Sequence, residues 1–204
     1  MNPHKCHHHD HQKGYHSRDY PDKCHQCCCC CHQYHHHDHH PVTTDYYWRD
    51  YTGEIPEDAF RSGHDSNHRP TYIGQAFLSD MGIIPTTLYP GQESLKLPCN
   101  WKVNYSDIGI KILCTSNCSS LSWENTTANE LHLTSAGKRA VIGGYQKGQK
   151  RLLLNIGRVH HHGELLVGKV HGNVPGEAVM YFVAGHKEIA AESYQVLIQS
   201  TNSC

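Results

Sequence analysis

Leucine, isoleucine, valine, phenylalanine and tryptophan are all absent from the first forty residues of this chain. A segment without them cannot bury a core, so residues 1–41 are expected to form a disordered, low-complexity tail. No run of about 18 apolar residues occurs anywhere, and the amino terminus lacks the apolar stretch of a secretory signal. The expected location is therefore the cytoplasm. On that reading the sequons at Asn104, Asn117 and Asn125 are chance matches. A stripe of Lys and Arg with interleaved aromatics is also missing, and 18 basic against 19 acidic side chains give no electrostatic argument for nucleic acid. Nucleophile elbows and zinc-protease helices are absent as well, which argues against an enzyme.

The tail is instead crowded with metal-ligating side chains. It holds 13 of the 21 histidines and 7 of the 11 cysteines. They fall in the runs His7-His8-His9, Cys24-His25-Gln26-Cys27-Cys28-Cys29-Cys30-Cys31 and His35-His36-His37-Asp38-His39-His40. Thiolates and imidazoles at this density bind zinc, copper or nickel, although the spacing specifies no single geometry and no cofactor is required for folding. An odd cysteine count with five in a row does not read as an extracellular disulfide framework. Two other roles stay open. Cys27 to Cys31 suit S-palmitoylation and peripheral membrane attachment, and the histidines would make the tail positive in an acidic compartment. Cys114 and Cys118, four apart, and His160-His161-His162 at a turn are weaker metal signals.

From residue 42 the pattern is that of strands and turns. Ile108, Ile110 and Ile112 alternate, as do Tyr194, Val196 and Ile198. Pro90-Gly91, His162-Gly163, Pro175-Gly176 and Gly185-His186 mark turns. Helical periodicity is lacking, with at most one turn at Glu188 to Ala191. Laying the region on itself brings out a repeat. Trp48, Ala59, Ser62-Gly63, Thr71 to Ala76, Gly82 to Leu88 and Gly109 to Leu113 recur in order as Trp123, Ala140, Gly143-Gly144, Leu153 to Val159, Glu164 to Val170 and Ser193 to Leu197. The expectation is an all-β protein of two pseudo-symmetric antiparallel repeats, residues 42–120 and 121–204, forming a compact sandwich or prism in which each closes the other's sheet edges. Trp48 and Trp123 read as core anchors.

These residues resemble the DM-nine (natterin-like) repeat. The first copy carries Trp48, Gly53-Glu54-Ile55-Pro56-Glu57-Asp58-Ala59, Gly63-His64-Asp65 and Tyr72-Ile73-Gly74-Gln75. The second carries Ile156-Gly157-Arg158, Gly163-Glu164-Leu165-Leu166-Val167-Gly168-Lys169-Val170 and Tyr194-Gln195-Val196-Leu197. The resemblance implies mannose-type glycan recognition, with an acid and a lysine bracketing the hexose. Asp65 matches the acid, but Thr86-Thr87 stands where its Gly-Lys partner would be. Lys169 matches the lysine, with Gln146 near the acidic position and Arg158 in the adjoining motif. On the residues alone, Asp65 also reads as a turn organiser and Lys169 as a solvated edge residue. Some relatives carry a farnesoic acid O-methyltransferase label, yet no Gly-rich strand-to-helix turn is present here to bind S-adenosylmethionine. The sequence is compatible with a lectin-like binder with a metal-capturing tail, or with a membrane-tethered interaction module whose sugar site has degenerated. It leaves a homodimer open.

Overall fold

A computed structural model describes residues 45–148, 152–172 and 175–200, all within the compact unit Val42–Cys204. The tail runs expected to bind metal or lipid lie outside the described residues. The first repeat contributes β1 (Tyr46–Asp50), β2 (Arg61–His64), β3 (Pro70–Leu78), β4 (Gly82–Leu88), β5 (Leu95–Cys99), β6 (Lys102–Ser106) and β7 (Lys111–Thr115). The second contributes β8 (Leu121–Thr127), β9 (Arg139–Ala140), β10 (Ile142–Gln146), β11 (Leu152–His161), β12 (Glu164–Val170), β13 (Met180–Ala184), β14 (Lys187–Ala191) and β15 (Ser193–Gln199). A four-residue helix, α1 (Leu131–Thr134), buries Leu131 beneath β8.

Strand pairing reproduces the internal repeat register for register, and every pairing is antiparallel. Trp48 of β1 faces Leu113 of β7, and Trp123 of β8 faces Leu197 of β15. Gly74 of β3 faces Ile112, and Gly157 of β11 faces Val196. Ala59 bridges Cys114 where Ala140 faces Ile198. The hairpins β5–β6 and β13–β14 complete the correspondence, with Leu95 equivalent to Met180. The reason for glycine at 74 and 157 is then the same in both copies. A Cβ on Gly74 would sit 2.9 Å from Leu88 and Leu95, and one on Gly157 2.8 Å from Val170 and 2.9 Å from Met180. In each repeat the hairpin strand crosses over the bare backbone of the long central strand.

Each copy closes the other. β10 pairs with β4 through Tyr145 and Ile83, and β2 lies so close to β12 that a Cβ on Gly63 would meet the Leu165 carbonyl at 2.6 Å. Equivalent residues from both copies meet in one core, which holds Ile73 and Leu113 together with their counterparts Ile156 and Leu197, while Trp48 and Trp123 lie partly buried at its margin. Two further clusters belong mainly to one repeat each.

The copies differ at one place that matters below. Gly168 lets β12 pair directly with β13, since a Cβ there would be 2.1 Å from the Tyr181 carbonyl. At the equivalent position Thr86 has a side chain, which spaces β5 away and donates a hydrogen bond to the Lys96 carbonyl at 2.7 Å.

Two local expectations are corrected. Ile108 is not on a strand face with Ile110 and Ile112. It is 59 % exposed in the turn before β7, because Gly109 takes a φ of 60° and breaks the alternation. Glu188 to Ala191 form strand β14, since pairing with β13 overrides their weak helical preference.

Candidate functional site

Lys169 is not an edge residue. It lies on β12 between Ile156 of β11 and Tyr181 of β13, and it is 2 % exposed. A buried ammonium needs partners, and it has several. Its Nζ donates to Gln146 Oε1 at 3.1 Å and stands 3.5 Å from Glu188 Oε1. Cys99 Sγ is 3.9 Å away, and the Tyr181 ring centroid 5.5 Å. Burial pushes the Cys99 thiol up, with Lys169 only partly opposing it, so the sulfur stays protonated.

Glu188 reaches this point from β14, which only the β13–β14 hairpin brings alongside. Its side chain is 2 % exposed, and Oε2 has no hydrogen-bond partner among the described residues. An unpaired buried carboxylate oxygen costs about 1–3 kcal/mol, so a donor that reached it would be bound favourably. His171, just past β12, completes the floor with Nε2 at 3.3 Å from Gln146 Oε1. Burial and then the Lys169 charge depress this imidazole to about 4. It is therefore neutral at physiological pH, and since Gln146 Oε1 can only accept, the tautomer with Nε2–H donating is the one that fits.

The opposite wall comes from the first repeat. Asn100 and Trp101 form the two-residue tip between β5 and β6, with φ of 58° and 60°. Two-residue tips of this hand favour Asn at the first position and Gly at the second. A bulky residue in the left-handed region costs about 1–2 kcal/mol, yet Trp101 stands there with 73 % of its surface exposed. Its ring meets Tyr181 edge-on at 5.7 Å. Together Asn100, Trp101, Gln146, Lys169, His171, Tyr181 and Glu188 enclose a hollow of about 110 Å³.

The pseudo-equivalent hollow, about 240 Å³, has different chemistry. Thr87 replaces the lysine and uses its hydroxyl on the Val167 backbone, accepting from N at 2.7 Å. Lys96 replaces Tyr181 and donates to the Gly185 carbonyl. Asp65, at the position of Gln146, is fully engaged in its own turn. Its Oδ1 accepts from the N–H groups of Asn67 and Arg69 at 2.8 and 2.9 Å, and its Oδ2 from Arg69 Nε at 2.7 Å. Burial opposes the charge on this carboxylate, but those hydrogen bonds and the Arg69 guanidinium outweigh it and hold the pKa below the usual value.

The chain matches the DM9 repeat model over residues 65–189. It belongs to the DM9 repeat family. Similarity extends to a solved structure, the nematode sperm cell motility protein MFP2B, at 15 % identity and a TM-score of 0.57. The match covers 79 % of this chain but 48 % of that one, so the chain spans about half the length of MFP2B. At this identity the likeness concerns the fold. No curated protein matches in sequence.

Among the four sugar contacts expected from sequence, the DM9 fold brings together Lys169 and Gln146. Asp65 belongs to the end of β12 marked by Glu164, whose Oε1 accepts from the Ser66 N–H at 3.3 Å. Five residues of strand, about 16 Å, separate Glu164 from Lys169. Arg158 is committed elsewhere. It donates to the Ser62 carbonyl at 2.6 Å and to Gln195 Oε1 at 2.8 Å, and lies 4.3 Å over the Trp123 ring. Desolvation lowers its pKa to about 10, and it borders a larger groove of about 490 Å³ over β8, β11 and β15. That groove is roomier, but among the described residues it contains no buried carboxylate oxygen without a hydrogen-bond partner, which is why the smaller hollow is the better candidate. His160, His161 and His162 occupy the β11–β12 hairpin, and among the described residues no three His, Cys, Asp or Glu side chains are placed to hold a metal ion. Cys114 is buried and Cys118 exposed, both free thiols. No helix among the described residues is long and apolar enough to cross a membrane. Sequence reading missed Glu188, His171, Tyr181, Asn100 and Trp101. The only signal for Trp101 was the anomaly of Asn-Trp at a hairpin tip.

Proposed function

We propose that the protein is a non-enzymatic, lectin-like binder of mannose-type glycans whose site is the hollow floored by Lys169 and Glu188. The observation that carries this reading is the buried ion pair with Glu188 Oε2 left unpartnered. A sugar diol suits it: one hydroxyl oxygen takes over the Lys169 Nζ proton now directed at Cys99 Sγ 3.9 Å away, while a neighbouring hydroxyl donates to Oε2 once a small shift of the surrounding side chains uncovers it. Glu188 thereby takes the part of the acid that the DM9 resemblance assigns to the position held by Gln146. Keeping such a pair buried is unfavourable unless its remaining hydrogen-bonding capacity is used.

A glycan array probed with the full chain and with Lys169→Met and Glu188→Gln variants tests this. Mannose-type binding that falls at least about tenfold in each variant, the loss expected of a charge-assisted hydrogen bond, supports it. A blank array from folded protein overturns it.

The tail is proposed to capture zinc or copper through its His and Cys runs, in a cytoplasmic protein. Metal titration of a peptide covering residues 1–41 tests that, with no binding at micromolar metal as the adverse result. A second reading is favoured by the structural use of Asp65 and Thr87, which consumes the first copy's motif. On it, the protein is a palmitoylated, membrane-tethered interaction module. Hydroxylamine release of the chain from membranes distinguishes it.

A further inference from the structure

Resting on the carbohydrate reading above, one residue shapes the site further. Trp101 is the most exposed large apolar side chain among the described residues, at 73 %. It occupies a backbone position where glycine is the relaxed choice, so the turn itself does not call for an indole there. Its aromatic contact among the described residues is a T-shaped one with Tyr181, itself a wall of the hollow. What an indole offers at the mouth of a polar hollow is a flat apolar face, and a pyranose has a matching face of C–H groups opposite its hydroxyl edge.

The other hairpin tip differs. Gly185 and His186 stand where Asn100 and Trp101 do, over a hollow whose lysine is replaced by Thr87, while Asp65, at the position of Gln146, does not line it and is saturated by Arg69 and Asn67. The lining of this second hollow keeps charge and an aromatic ring, in Lys96, Glu164 and Tyr89, but among the described residues no buried lysine–carboxylate pair floors it and no exposed indole stands at its mouth.

We propose that the chain carries one composite sugar site, with the first repeat supplying Trp101 as a stacking wall and the second supplying the Lys169 and Glu188 floor. It takes a single pyranose, edge-on to the charged floor and flat against the indole. At about 110 Å³ the hollow has room for no more than one sugar ring. The first copy is thus a partner in the second copy's site.

Calorimetric titration of the full chain with methyl α-D-mannopyranoside, alongside tryptophan emission, tests the proposal. One sugar per chain is expected. Trp101→Ala should weaken binding about tenfold, and Trp101→Phe should keep most of the affinity while abolishing the sugar-dependent emission shift. Trp101→Gly is the discriminating variant. It should raise the melting temperature by relieving the left-handed backbone while weakening binding as Ala does. Unchanged affinity in Trp101→Ala and Trp101→Gly, with Lys169→Met inactive, would overturn the composite wall and leave the carbohydrate reading standing. Two sugars per chain would also overturn it. No binding of mannosides or any arrayed glycan by folded wild-type protein would remove both.

Discussion

Lys169→Met would leave the Glu188 carboxylate buried without a cation, at an expected loss of about 3 kcal/mol. Lys169→Met combined with Glu188→Leu should recover most of that stability in denaturant titrations, because both desolvated charges are then gone. His171 makes a second residue-level prediction. Its pKa is near 4 in the folded chain against 6.5 ordinarily, so between those values the unfolded chain binds more protons. Stability should therefore fall as pH drops from 6.5 to 4 and level off below. The ring is only partly enclosed, so the contribution is on the order of 1–2 kcal/mol after solvent screening. His171→Asn should flatten that part of the pH profile, as read by melting temperature.

At the level of elements, the turn around Asp65 and the strand pairing at Gly168 give opposite expectations. Asp65→Ala removes the acceptor for two backbone N–H groups and for Arg69, so the melting temperature should drop while mannoside affinity stays as it was. Gly168→Ala should instead damage both. Its Cβ would collide with the Tyr181 carbonyl, separating β13 from β12 at a cost of about 3 kcal/mol and moving the wall of the hollow. The elements themselves were largely legible in sequence. The two tryptophans, the Gly74 and Gly157 pair and the closing strands lined up because core and close-approach positions constrain residue type in both copies. The β5–β6 and β13–β14 hairpins were not, since Leu95 to Cys99 and Met180 to Ala184 share little beyond alternation. Glu188 was hidden for the same reason: in a segment read as a turn of helix, nothing signalled that β14 would carry it to Lys169. Lys169 and Gln146 could be singled out by motif, whereas Trp101 needed the contact between copies.

For the molecule as a whole, the exchange of pairing between copies predicts one cooperative unfolding transition. Fluorescence and far-UV circular dichroism should trace a single curve in denaturant, and a fragment ending at residue 120 should show no cooperative transition, since β4 loses β10 and β2 loses β12. Two separated transitions would mean that the copies are independent domains.

The hairpin tips also have a genetic consequence. When duplicated units are autonomous, one is free to decay once the other suffices. Here residues 100 and 101 of the copy without the lysine stand over the hollow of the copy that has it. Substitutions at these positions should show strong epistasis with changes at 169 and 188 and almost none with their own sequence neighbours. A saturation scan scored for sugar binding would then find two distant stretches of the chain behaving as a single locus, so that the apparently spent copy remains under selection for what its neighbour does.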